Sequence, residues 1–460
     1  MANTRLKRTV SNSSSSGRRT FTWSGWIKRN NVTAGYQNLF SAYGGANYYT
    51  RILYWDTQEL TVSSKQGSNF PVDLRSTTKH RDTNAWYHIV VAMDSTQSTV
   101  TDRIKIYFNG VRQTGFHGGD SSYPSLNEQC QINHNDPHYI GHLGGGSSGY
   151  FDGIISHVHF ADGTAYPAST FGSTDSTTGE WTINTSPSFT PGTNGFSILK
   201  DGNGVTDVSA NSNNWSVETG TLTATKDCPD NVFATGNPLN VNSGGVGTFQ
   251  YGNNDITVNG ASGSQFGSSS TLGMTNGKFY CEAKIITVDS TMIGVSPSPA
   301  EDARADRSPD GQASSGAVGC LVGSGNKYVS GNGSSYGAAT SANGIMMIAL
   351  DLDNLKVYFG SGGQWSNGSG AWNQSGLTSG AAISVTAVAS TAEGAYFFSF
   401  GDGGGSSAGR IQWNFGNGYF GTTAITTNSG NGYAGAEGKS KFNYAVPSGY
   451  SALSTKGLNT

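Results

Sequence analysis

The sequence predicts an all-β protein: two antiparallel, jelly-roll-like β-sandwich domains joined by a Gly/Asn-rich connector. Three observations carry that expectation. Apolar residues recur at alternate positions, the period of a strand with one face in a core, and not at helical spacing. Thr, Val, Ile and aromatic residues fill short runs bounded by Gly, Ser and Asn clusters, the composition of strands and their turns. Finally, 9 Trp, 21 Tyr and 21 Phe bring enough buriable area to offset the entropy of ordering a chain of 460 residues.

The strands follow in order. Trp86 to Met93 is apolar on both faces, as expected of a central strand covered on both sides. Ile104, Ile106 and Phe108 share one face before Asn109-Gly110, the pair that supplies the two positive-φ positions of a tight hairpin, and Val111 returns. In Phe151 to Phe160, alternation turns Ile154, Val158 and Phe160 one way and displays His157 and His159 on the other. Residues 161–185 read as a long surface loop. Lys278 to Ile286 reads as a half-buried strand, with Phe279, Cys281, Ala283 and Ile285 inward. Ile345 to Leu352 and Leu355 to Phe359 form a hairpin around Asp353-Asn354, and Tyr396 to Phe400 and Ile411 to Phe415 add two aromatic strands. The organisation expected is a basic N-terminal segment at 1–19, a sandwich at 20–201, the connector at 202–245, a second sandwich at 246–420, and a C-terminal extension at 421–460 packing on the second domain. All 8 histidines lie at or before His159, so the halves are not copies of one repeat.

Composition bounds the function. Charged residues are 12% of the chain, against a typical ~25%, and Gly occupies 66 positions, so the surface is polar but largely uncharged. A formal net charge of -3 lacks the footprint of a nucleic-acid binder, and no apolar run approaches the ~18 residues of a membrane span. Neither nucleic acid nor membrane insertion is expected. The basic start has no apolar h-region, which predicts cytoplasmic synthesis. Cys130, Cys228, Cys281 and Cys320 lie far apart without a Cys-x-x-Cys pair, fitting reduced thiols.

The segments WYHIVVAMD, IKIYFNGV, YIGH and YFDGIISHVHF resemble laminin-G-like, concanavalin-type jelly-roll domains over about residues 20–200. GKFYCEAKI, IGVSP, SYG, GIMMIALDLDNLKVYF, AYFFSFG and QWNFGN are similar to a SPRY-type sandwich over residues 278–416. The ordered pair, the basic start, the connector TKDCPDNVFATGNPLN and the closing FNYAVPSGYSAL together resemble virion proteins of marine tailed bacteriophages, cyanophages among them. That resemblance implies a structural, tail-fibre-like or capsid-surface protein whose modules bind carbohydrate or protein. It places the chain on the virion surface after synthesis in the bacterial host cytoplasm, as repeated copies or a homo-oligomer among other virion proteins, with a host surface glycan as ligand. It assigns no residue-level site.

Concanavalin-type folds also host glycosidases with two Glu closely spaced on one strand. Here Glu occurs only at 59, 128, 180, 218, 282, 301, 393 and 437, so no two share a strand, although distant Asp residues remain a source of carboxylate pairs. Two G-x-S-x-G matches, at 145–149 and 333–337, lack the strand-to-helix context of a nucleophile elbow. His134, His138 and His142 have helical metal-ligand spacing, but Pro137 interrupts the segment and the text reads extended. Ser173 to Trp181 reads as a turn, and Asp201-Gly-Asn203-Gly as an Asx-rich turn rather than a calcium loop. No metal, cofactor or enzymatic activity is expected. A neutral surface with protruding aromatic rings suits sugars, and Tyr43, Tyr48 and Tyr49 form the candidate ligand loop, with residues 326–337 and 360–370 as its counterpart in the second domain. Arg5, Lys7, Arg8, Arg18 and Arg19 form a candidate virion-docking patch, or else charges on a solvated edge strand. The function expected is a non-enzymatic virion structural protein used for surface decoration or attachment. The alternatives are a tail-fibre or tip protein recognising a host surface glycan, and a glycan depolymerase.

Overall fold

The computed structural model describes residues 3–30, 32, 35–118, 121–200, 204–241, 246–259, 266–288, 290–297, 316–391, 393–402, 408–426 and 433–459. The chain divides into two compact units, Met1–Ala224 and Thr225–Thr460. Both are all-β, and among the described residues helix is confined to three-residue 3-10 turns.

The first unit contains β1 (Arg5–Thr9), β2 (Thr20–Arg29), β3 (Gln37–Gly45), β4 (Tyr48–Tyr54), β5 (Glu59–Gln66), β6 (Asn69–Lys79), β7 (Trp86–Asp94), β8 (Ile104–Phe108), β9 (Val111–Arg112), β10 (Pro137–Ile140), β11 (Gly153–Asp162), β12 (Gly172–Thr174), β13 (Trp181–Ile183), β14 (Phe196–Ile198) and β15 (Ser216–Thr219). A seven-stranded sheet, β15-β1-β10-β3-β4-β5-β6, stacks on a six-stranded sheet, β14-β11-β2-β7-β8-β9. Between them Ile52, Tyr54, Val62 and Leu74 meet Trp23, Ile89, Val91 and Val158 in one core. Within it Phe21, Phe40, Phe160, Phe196 and Trp215 form a chain of tilted, stacked and edge-on rings, with centroids 5.1 to 6.4 Å apart.

Asn109 and Gly110 turn β8 into β9 with φ of 45° and 78°, the conformation their sequence demands. β7 is buried on both faces because the outer side of its sheet carries a second small core, in which Val90, Ala168 and Phe171 pack with Tyr107, Tyr166, Trp181 and Phe189. The stretch 161–185, expected as a long loop, supplies that cover through a 3-10 turn and the β12–β13 hairpin. Asp175 shapes the hairpin turn by accepting the backbone N–H groups of Thr177 and Thr178. β11 also departs from expectation. A bulge between Ser156 and His159, with His157 at φ 49°, inverts the alternation, so Ile155 and not Ile154 joins Val158 and Phe160 against the core. The two histidines are buried under the outer layer instead of displayed.

The 202–245 stretch is shared between the units. Trp215, only 4% exposed, is part of the first core, and β15 lengthens the first sheet by pairing with β1. Phe233 and Ala234 pack in the second unit.

That unit contains β16 (Gly236–Val241), β17 (Val246–Gln250), β18 (Asp255–Asn259), β19 (Phe266–Ser270), β20 (Lys278–Thr287), β21 (Thr291–Ser296), β22 (Val318–Leu321), β23 (Asn326–Val329), β24 (Asn332–Ser334), β25 (Ile345–Asp351), β26 (Lys356–Ser361), β27 (Gln364–Ser366), β28 (Trp372–Gln374), β29 (Ile383–Ser384), β30 (Phe397–Asp402) and β31 (Arg410–Asn414). One sheet runs β16-β19-β30-β21-β22-β23-β24, and the other has the path β17-β18-β31-β20-β25-β26-β27-β28. Phe279, Cys281, Ala283 and Ile285 of β20 face the core between them. The opposite face of β20, expected half-exposed, is closed by the C-terminal residues: Phe442, Tyr450 and Ala452 pack on Tyr280. Glu282 anchors this strap by accepting the N–H groups of Asn443 (2.8 Å) and Tyr444 (2.7 Å), the Tyr280 hydroxyl (3.0 Å) and Asn414 Nδ2 (3.2 Å). Burial pushes its carboxyl up to about 7, against the pull of those donors.

Two predictions follow from the packing. Trp215→Ala removes a buried ring from the aromatic chain and should destabilise the first unit by about 3–5 kcal/mol, read as a lowered unfolding temperature. The units should also respond oppositely to acid. Burial lowers His80 and His88 to about 3 and His138 to about 4, so these imidazoles stay neutral when folded, and stability complete above about 6.5 declines below it. Glu282 binds its proton first in the folded state, so the second unit gains stability as pH falls from about 7 toward 4.5. Calorimetry between pH 7 and 5 should show the first transition moving down and the second up, with Glu282→Gln removing the second shift.

Candidate carbohydrate-binding face

Strands β3 to β6 turn Phe40, Ile52, Tyr54, Val62 and Leu74 into the core, so their alternate positions make the outer face of the seven-stranded sheet. Register aligns Tyr139, Ser41, Arg51, Ser63 and Asp73 in one row across five strands, and sets Tyr43 opposite Tyr49 in the next. Arg51 is the centre of this face. Its guanidinium lies 5.1 Å from the Tyr49 ring, 5.8 Å from Trp55 and 5.9 Å from Tyr36, and Tyr36 and Trp55 meet edge-on at 4.6 Å. Arg75 lies 5.1 Å from the other side of the cluster, at Trp55. Burial lowers the Arg51 pKa, with Tyr49, Tyr36 and Asp73 pulling it back, and its Nε–H has no hydrogen-bond partner.

Glu59 fixes the frame from below. Its carboxylate accepts from Thr57 Oγ1 and from Arg75 Nε (3.2 Å) and Nη2 (2.9 Å), with Lys79 at 3.5 Å. Burial would raise this group, but the hydrogen bonds of Thr57 and Arg75 and the charges of Arg75 and Lys79 hold it at about 2. The face therefore offers flat ring surfaces, 42% of Tyr36 being exposed, beside planar guanidinium donors and the Asp73 carboxylate. Such a surface can take the apolar face of a pyranose on a ring and its hydroxyls on charged donors.

The three tyrosines singled out in the sequence lie on the β3–β4 hairpin, not in a loop, and the alternation separates them. Tyr49 is 9% exposed beneath Arg51. Tyr43 is half-buried against the 144–149 loop, where a Cβ on Gly145 would lie 2.3 Å from its hydroxyl. Tyr48, 52% exposed, stands at the hairpin tip next to the β5–β6 turn, whose Gly67 N–H donates to Asn47 O at 2.8 Å. Tyr36, Arg51, Trp55 and Arg75 were missed, although Tyr49, Arg51 and Trp55 stand at odd positions of one alternating run.

The basic residues are engaged within the first unit. Arg5 and Lys7 pair with Glu218 at 2.5 and 2.8 Å and both approach the Tyr139 ring. Arg8 donates to Asn194 O and Asn213 Oδ1, and Arg18 to Cys130 O and Gln131 Oε1. Arg19 is half-buried at the start of β2. β1 lies between β15 and β10 and is not an edge strand.

The spaced histidines take separate partners: His134 meets Asp136 at 2.7 Å, His138 Nε2 accepts the Asn133 N–H, and His142 Nδ1 accepts the Gly144 N–H. Among the described residues no group of three or more His, Cys, Asp or Glu is placed to hold a metal ion. Asp201 and Asn203 lie outside the described residues. In the second unit, residues 326–337 and 360–370 meet around Tyr336, which is fully buried with its hydroxyl on Ala381 O (2.8 Å), so its ring serves as a core pin.

Residues 7–169 match the laminin-G-type family described as the concanavalin A-like lectin/glucanases superfamily. A search of curated proteins finds no match. Among solved structures, the chain is similar to the SPRY domain of human HERC1, with 13% identity and a TM-score of 0.27 over 39% of this chain and 96% of that one. It is also similar to domain 4 of AbnA, a GH43 extracellular arabinanase from Geobacillus stearothermophilus in complex with arabinotriose, with 19% identity and a TM-score of 0.24 over 33% and 64%. A heptameric SAP-like pentraxin from Limulus polyphemus matches at 17% identity and a TM-score of 0.24, over 35% and 71%.

Removing residues 1–18 takes out an inner strand together with the buried Leu6 and Val10. The truncated first unit should lose its cooperative unfolding transition and become protease-sensitive; a truncated chain with an unchanged transition would show that β1 is dispensable.

Proposed function

We propose that the first unit binds carbohydrate on the Tyr36–Arg51–Trp55 face without cleaving it, and that the chain is a surface component of a bacteriophage virion, used for decoration or attachment. The observation that carries the binding role is the partly exposed frame of rings around Arg51, built on rigid strands of a lectin/glucanase-type sandwich. Rigid placement keeps the ordering cost of binding small. Non-cleavage is supported by the state of Glu59. Glycoside hydrolysis needs a carboxylic acid kept protonated near neutral pH, and Glu59, held at about 2, is ionised there. The virion role rests on the resemblance of the paired modules and their connector to phage surface proteins. Repeated copies on a particle would turn a weak single-site affinity into strong attachment.

The full chain should bind polysaccharide from a bacterial host surface in a biosensor assay. Tyr36→Ala, Arg51→Gln and Trp55→Ala should each weaken binding about tenfold or more at an unchanged unfolding temperature, as expected for a central aromatic or Arg contact. Polysaccharide length should stay constant on incubation; shortening would make the chain a depolymerase. Antibody labelling of intact virions should decorate the particle, at the head for decoration or at the tail tip for attachment, and unlabelled particles would remove the virion role.

A further inference from the structure

The outer face that carries Arg51 does not end at the Tyr49 ring. Tyr49 lies opposite Lys65 of β5, and residues directly opposite on antiparallel strands share a side of the sheet, so Lys65 continues the face toward the β5–β6 turn. There the pairing shifts: Ser64 is opposite Val72 and Gln66 opposite Asn69, which leaves one extra residue in β6. This bulge brings Phe70 to Lys65, whose ammonium lies 5.7 Å from the centre of the ring. Lys65 Nζ also donates to Ala46 O at 3.5 Å, across the β3–β4 tip. Phe70 is 45% exposed and is packed into neither core of the first unit.

Two exposed ring stations therefore stand at opposite ends of one strand-built track. Tyr36 and Trp55 hold one end and Phe70 the other, with Arg51 and Tyr49 between them. From Trp55, just past β4, back to Tyr49 is six positions, about 20 Å of extended strand. Tyr43 and the 144–149 loop packed on it bound the track on the β3 side, and Asp73 and Arg75 bound it on the β6 side. Ser63 and Tyr49 are buried between the ends, so the floor is closed. Tyr48 alternates to the other side of β4 from Tyr49 and is no part of the track. A single sugar is held by a pocket that surrounds it, whereas a closed floor with a ring at each end suits a chain lying along it.

We infer that Phe70 and Lys65 form a second subsite on this face, and that the site takes an extended run of several sugar units lying along β4 and β5. One unit packs on the Tyr36–Trp55 rings and a later one on Phe70, while the hydroxyls between them meet Arg51 and Lys65. Once one end of the run is bound, the other meets its station at a high effective concentration, so affinity depends on the reach of the chain. The inference rests on the carbohydrate-binding reading above and adds the length of glycan that is read.

The test uses the full chain and a bacterial lipopolysaccharide O-polysaccharide, cut by partial acid hydrolysis into size-fractionated pools from disaccharide to decasaccharide. Each pool is titrated calorimetrically beside the uncut polymer. Affinity should rise about tenfold or more from the disaccharide pool to the pools that span about 20 Å, and stay level beyond them. Phe70→Ala should remove that rise by weakening the long pools at an unchanged unfolding temperature. Phe70→Tyr, which keeps the ring, should preserve the rise, and Phe70→Leu, which is apolar but has no ring, should lose it. Trp55→Ala should weaken every pool. Affinity independent of length, or a rise that survives Phe70→Ala, overturns the inference and leaves the Arg51 face in place. Binding weakened by Phe70→Ala but untouched by Trp55→Ala, or no binding of polymer and pools alike, removes the Tyr36–Trp55 end and with it the reading on which the inference rests.

Discussion

Both units depend on one constraint: a polar group buried under an outer layer must find a partner there, because water cannot reach it. His88 shows how the constraint is met. It faces outward from β7, buried between the rings of Trp26 and Trp181, whose centroids are 4.7 and 5.9 Å away. The Trp181 indole N–H can only donate, and it donates to His88 Nδ1 at 2.9 Å. The neutral ring therefore carries its proton on Nε2, which donates to Ser24 Oγ. One tautomer, one indole and one hydroxyl thus pin the covering hairpin to the sheet. Glu282 does the same for the second unit, where a single carboxylate collects two backbone N–H groups of the C-terminal strap. In both places a polar anchor specifies where an apolar cover sits, while the surrounding rings supply the burial.

The hairpins and the doubly covered β7 were legible because each is encoded locally, by Asn109-Gly110 or by an unbroken apolar run. The bulge in β11 was not, since one extra residue reverses every later side chain without changing composition. Residues 161–185 hid their role differently. Their anchors, Phe171 and Trp181, are sparse in a text of Gly, Ser and Thr that has the turn composition of a loop. Trp215 was likewise concealed among Asn and Ser residues that wrap Asp207 and the edge strand β14. For the candidate site, aromatic density pointed to the β3–β4 hairpin. Which of its rings face outward, and that Arg51 stands among them, depended on the pairing of β3, β4 and β5.

A binding face made of strands differs in kind from one made of loops. The positions of Tyr49, Arg51 and Ser63 are set by ladder hydrogen bonds, and Arg75 by a buried carboxylate, so little remains to be ordered when a ligand arrives.

The pairing of β1 with β15 has a mechanical consequence. Arg5 is opposite Thr219, so the entry and exit of the first unit lie side by side on antiparallel strands. Tension applied through those two ends would peel the ladder open one rung at a time, the weakest way to load a sheet, instead of shearing all its rungs together. The Glu218 carboxylate, bridging Arg5 and Lys7, sits where that zipper would start, as a latch on the seam.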